Sequence, residues 1–113
     1  MSETMSANEK YEHYAGFITN LTDKFADVDS DLPIHEQHLA QLKNRITDGK
    51  YTFLKILDGT HTEYIKVYNR GGALFVERGF ELTAPRTFPT GSCVKWELTP
   101  TAVRDIICQM ECC

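Results

Sequence analysis

The sequence predicts an α+β fold made of two N-terminal helices, a small antiparallel β-meander of about four strands and a short C-terminal helix. Three observations carry this. Apolar residues recur at steps of three and four before residue 50, strand-like runs separated by turn signals follow from Tyr51, and Thr99-Pro100 opens a last helical segment. The chain of 113 residues is one domain's length, divided as a disordered start over 1–8, a helical region over 9–50 and an antiparallel sheet module with a terminal helix over 51–113.

The first helix is expected over 9–28. Tyr11, Tyr14, Ile18, Leu21, Phe25 and Val28 form one stripe, with Glu12, Asn20, Asp23, Lys24 and Asp27 largely off it. Such a stripe is either core or a docking face for another subunit, which makes Tyr11, Tyr14, Ile18 and Phe25 candidate interaction residues. Gly16 weakens this helix by about 1 kcal/mol. The acidic run Asp27–Asp31 resembles the opening of a calcium loop, but Leu32 and His38 stand where the turn glycine and bidentate glutamate belong. It reads as an acidic linker feeding the next helix.

A second helix is expected over 34–48. Pro33 suits its first turn, Leu39, Leu42 and Ile46 share a face, and Lys43, Arg45 and Gly49 mark its end. His35 and His38 are three residues apart, as two metal ligands on a helix can be, but no third ligand accompanies them.

From Tyr51 the period changes to two. Tyr51–Leu57 and Glu63–Tyr68 flank the turn signal Asp58-Gly59, with Ile65 and Val67 on one face and Tyr64, Lys66 and Tyr68 on the other. Asn69–Gly72 turns the chain into a third strand at Leu74–Val76. Gly79, Pro85, Pro89 and Gly91 punctuate a long connection over 78–92, whose Phe80 and Phe88 are expected to fold back on the sheet. Cys93–Leu98 is the fourth strand. Thr99 then caps a helix that starts at Pro100 and whose apolar face is Val103, Ile106, Ile107 and Met110.

Composition excludes several functions. The net charge of −4 arises in residues 1–50, with nine acidic and five basic side chains, and no basic face is offered to nucleic acid. No apolar run approaches the ~20 residues that span a bilayer, and the polar, acidic start is no signal peptide. A cytosolic chain keeps Cys93, Cys108, Cys112 and Cys113 reduced. Their spacing departs from the paired arrangement of structural zinc, so a four-thiolate metal site stands only as a minor alternative. No nucleophile elbow, phosphate-cradling loop or spaced carboxylate pair is present, and a His61–Glu63 dyad would have no nucleophile beside it. The expectation is a non-enzymatic chain with no cofactor, metal or small-molecule substrate.

The run from Asp58 onward carries Asp58-Gly59, Glu63, Ile65, Val67, Val76-Glu77-Arg78-Gly79, Glu81, Thr83-Ala84, Phe88-Pro89-Thr90-Gly91, Val94 and Leu98-Thr99. In order and spacing this resembles a short module of tail-associated virion proteins in tailed bacteriophages and prophages, and the match covers roughly half of the chain. The resemblance implies a phage or prophage virion structural protein that self-associates and docks to other tail proteins. It would assemble in the bacterial cytoplasm and end in the tail. It singles out Arg78, either as a tie for the 80–91 loop through carbonyls or Glu81 or as a solvated strand-end charge, together with Phe88. It also singles out Leu82, which stands where the module commonly has glycine: either the turn is remade, or Leu82 is a surface contact. The alternative reading is a small cytoplasmic bacterial adaptor or regulatory module that binds through helix 9–28.

Overall fold

The structure, a computed structural model, describes residues 9–110. The start over 1–8 expected to be disordered, and Cys112 and Cys113, lie outside the described residues. The chain forms strands β1 (Lys10–Tyr11) and β2 (Ile18–Asn20), helix α1 (Glu36–Arg45), strands β3 (Lys50–Leu57), β4 (Thr62–Arg70), β5 (Ala73–Phe80) and β6 (Cys93–Trp96), and helix α2 (Pro100–Met110). The two-helix N-terminal half is therefore corrected: the expected helix 9–28 is not formed, and a six-stranded sheet dominates the fold.

The sheet runs β2-β6-β3-β4-β5, and β1 lies parallel to β3 beside β6. The meander β3-β4-β5 is its centre, with Leu54 opposite Ile65 and Val67 opposite Val76. Period-two alternation sends Leu54, Ile56, Ile65, Val67 and Val76 to one face, where they meet Leu42 of α1 and Ile46, which caps its C-terminal end. The same face receives Phe17, Leu21 and Phe25 from the N-terminal arm. The opposite face gathers Tyr11, Tyr51 and Phe53 under Ala102 and Ile106 of α2.

The N-terminal arm imitates a helix by spacing alone. Gly16 has φ +90°, a left-handed conformation that a helix does not admit and that glycine adopts without steric penalty. The arm instead attaches at intervals: Glu12 N donates to Tyr51 O, Leu21 N to Ser92 O and Phe25 N to Phe88 O. Tyr11, Phe17, Leu21 and Phe25 enter the core along it, whereas Ile18 and Val28 stay exposed.

Helix α1 agrees with the expected 34–48 apart from its ends. His35 caps it, its Nδ1 accepting from Gln37 N, and Leu42 and Ile46 are fully buried. Thr99 caps α2 as the sequence predicts, Oγ1 accepting from Ala102 N. The buried face of α2 differs from the expected one. Ala102 and Ile106 turn inward, whereas Val103 and Ile107 face outward.

Candidate functional site

Strand β4 places Glu63 on the same face as Ile65 and Val67, so alternation drives a carboxylate into the apolar layer, where it is 0 % exposed. A buried carboxylate is tolerated only with full hydrogen bonding and a countercharge. Strand β5 supplies both. Arg78 and Gly79 together stand opposite the single residue Ile65, forming a bulge between the pairs Tyr64–Phe80 and Lys66–Glu77. The bulge leaves Arg78 on the Val76 face and returns Phe80 to the other.

Arg78 meets Glu63 in a two-pronged pair, Nε to Oε2 at 2.8 Å and Nη2 to Oε1 at 2.9 Å. Its remaining donors go to backbone carbonyls: Nη1 to Ala26 at 2.5 Å and Asp29 at 2.9 Å, and Nη2 to Arg86 at 2.6 Å. All five guanidinium N–H groups are thereby used. Glu63 accepts two further bonds, from Gly79 N and Arg86 N, each at 2.9 Å. The guanidinium lies 4.0 Å above the Phe25 ring, which closes its open face by a cation–π contact.

Two segments without regular structure are thus tied to the meander. The 26–29 turn also holds itself, Asp29 Oδ2 accepting from Ala26 N, which gives one carboxylate of the Asp27–Asp31 run a local task. The 80–91 connection is anchored at Arg86 and again at Phe88, which exchanges backbone bonds with Phe25 at 2.9 and 3.0 Å. Arg78 ties the loop through a carbonyl, that of Arg86, and Glu63 adds a second tie by accepting from Arg86 N; Glu81 takes no part and instead accepts from Thr101 N at the start of α2.

Of the candidate interaction residues, three converge here: Phe25, Arg78 and Phe88, with both phenylalanines fully buried. Tyr11 is buried on the opposite face, stacked on Phe53. Tyr14 packs beside Phe17 under the Arg45 guanidinium. Ile18 is exposed on β2, and Leu82 is fully exposed at the tip of a turn. That turn is not remade: Glu81 and Leu82 take φ +55° and +64°, and Thr83 N closes it onto Phe80 O at 3.0 Å. Glu63 was the residue hardest to see as a partner. Its signal was parity, because a charge at 63 shares the face of 65 and 67.

The arrangement ties separate segments together: the carboxylate accepts four hydrogen bonds from within the chain, and the guanidinium is covered by a ring and three carbonyls. The His61–Glu63 dyad does not form, since His61 Nδ1 lies 3.8 Å from Asp58 Oδ2 while Glu63 faces Arg78. His35 and His38 each have Nδ1 engaged, with Gln37 N and Thr19 Oγ1 respectively. Cys93 is a free thiol, and Cys112 and Cys113 lie outside the described residues. Among the described residues no group of three metal-ligating side chains comes together, and no helix is long and apolar enough to cross a membrane. No known protein family, curated protein or solved structure matches this chain.

Proposed function

We propose that this chain is a non-enzymatic structural module of a bacteriophage or prophage tail, acting by self-association and docking to other virion proteins. The observation that carries the reading is the convergence of the residues that resemble the tail module. Glu63, Arg78, Gly79 and Phe88, scattered over the sequence, belong to one buried, fully bonded unit. Such a unit accounts for the spacing of the pattern by architecture, with no reaction invoked. It holds a long loop rigid without a large core, which is what a small assembly component requires. The adaptor alternative loses its contact face, because no helix forms over 9–28.

The test is direct. Virions purified from a producing strain are stripped into tail and capsid fractions, and the chain is quantified by mass spectrometry in each. Stoichiometric presence in the tail fraction is the expected result. Complete absence from particles, with the protein abundant in the lysate, would refute the reading.

A further inference from the structure

Strand β5 ends the sheet and is hydrogen-bonded to β4 alone among the described strands. Such an edge is normally blunted by lysine, proline or a bulge. The stretch Ala73–Glu77 has no lysine or proline, and the bulge lies beyond it at Arg78-Gly79. Phe75 is 40 % exposed there and stacks on Tyr68 of β4 at 5.5 Å. Glu77 is exposed and makes no ion pair among the described residues. Leu74 and Val76, on the other side of the strand, line an apolar cavity of about 290 Å³ beneath the edge.

Resting on the proposed self-association, we propose that β5 pairs antiparallel with β5 of a second copy of this chain, with the two-fold axis at Phe75. The occupant follows from cross-strand complementarity. This register sets Phe75 against Phe75 of the second copy, and since Tyr68 lies opposite Phe75 within each chain, four rings form one row. It sets Glu77 against Ala73 of the second copy, whose own neighbour is Arg70. The small alanine leaves room for the half-exposed Arg70 guanidinium, which holds Glu9 at 3.2 Å within its own chain, to approach Glu77 as well, so a row runs Lys66, Glu77, Ala73, Arg70 with opposite charges facing. On the cavity side Leu74 meets Val76. A two-fold axis at Val76 would instead oppose Phe75 to Glu77 and Leu74 to Arg78, matching neither charge nor shape. The self-complementary register makes the contact isologous and closed, giving a dimer with one continuous sheet.

Sedimentation velocity of the full chain over a range of concentrations reads the dimer, and cross-linking reads the register. Residues opposed in an antiparallel pair have Cα atoms about 4.5–5.5 Å apart, within disulfide reach of about 4.4–6.8 Å. Phe75→Cys is therefore expected to cross-link under mild oxidation beyond the wild-type background, whereas Ala73→Cys is not, because two copies of residue 73 stand far from the axis. Phe75→Lys places like charges on the axis and is expected to abolish the dimer with its circular dichroism unchanged. A wild-type chain that stays monomeric throughout overturns the pairing, as does equal cross-linking at 73 and 75. A monomeric chain that still appears in tail particles overturns the edge pairing alone and leaves the tail assignment standing.

Discussion

Arg78 and Glu63 face each other across the β4–β5 bulge with two hydrogen bonds of 2.8 and 2.9 Å, the carboxylate entirely out of solvent. Removing one member leaves the other buried and unpaired, which typically costs about 3–5 kcal/mol. Glu63→Ala and Arg78→Ala are each expected to lose stability of that order in urea denaturation. The double variant should lose less than the sum, because neither charge is then stranded. It should still fall below the wild type, since the carbonyls of Ala26, Asp29 and Arg86 and the amides of Gly79 and Arg86 lose partners as well. Strict additivity of the two single losses would contradict a coupled pair.

Gly79 is fixed by conformation and by space. Its φ is +73°, and a Cβ there would lie 3.0 Å from Pro85 Cδ and 3.2 Å from the Thr83 carbonyl oxygen. The left-handed conformation alone costs an L-residue roughly 1–2 kcal/mol, and the contacts add to it. Gly79→Ala is expected to destabilise by about 2 kcal/mol or more, and to raise protease sensitivity in the 80–91 loop first. A variant as stable as the wild type would mean that the bulge is not held in this geometry.

Leu82 presents the opposite case. It holds φ +64° and is 106 % exposed, so it bears backbone strain with no burial in return within the chain. Leu82→Gly removes that strain, partly offset by the greater freedom of glycine in the unfolded chain, about 0.4–1 kcal/mol. The expected outcome is a chain of equal stability or up to about 1 kcal/mol more stable, judged by thermal and urea unfolding. A loss beyond about 1 kcal/mol would show that the leucine side chain is held by contacts within the chain.

The sheet was legible from residue 51 onward because strand period and turn chemistry agree there. Ile65 and Val67 alternate with Tyr64, Lys66 and Tyr68, and Asp58 caps its own hairpin by accepting from Thr60 N and His61 N. The first half misled because the arm Tyr11–Phe25 has apolar residues at helical intervals for an unrelated reason. Tyr11 and Ile18 lie in short strands paired with β3 and β6, and Leu21 and Phe25 bridge to Ile34 and Phe88. Phe17, buried yet outside the stripe, and Gly16 were the contrary signs. The tie itself was half legible. Arg78 stands out at the end of its strand and meets a loop carbonyl, that of Arg86, as expected, but its carboxylate partner is Glu63, which β4 brings close in space, and not Glu81 nearby in sequence.

On the other face of the sheet the same economy of polar groups makes the fold sensitive to alkali. Burial raises the Tyr51 phenol above the ordinary tyrosine range, and its hydrogen bond to Asp105 Oδ2 at 2.6 Å raises it further. Burial raises Tyr11 and Tyr64 in the same direction. The fold therefore favours the protonated phenols. Their contribution is fully present below the unfolded-state value of about 10 and is lost as pH rises through the folded-state values. Stability is expected to fall steeply above that pH, with tyrosinate appearing together with unfolding in an ultraviolet titration. Tyr51→Phe has no proton to lose at this position. At neutral pH it should be less stable by about 1 kcal/mol for the missing hydrogen bond, and its deficit against the wild type should narrow as the medium becomes alkaline. A deficit that stays constant across the alkaline range would separate Tyr51 from the alkaline transition and place the effect on Tyr11 and Tyr64.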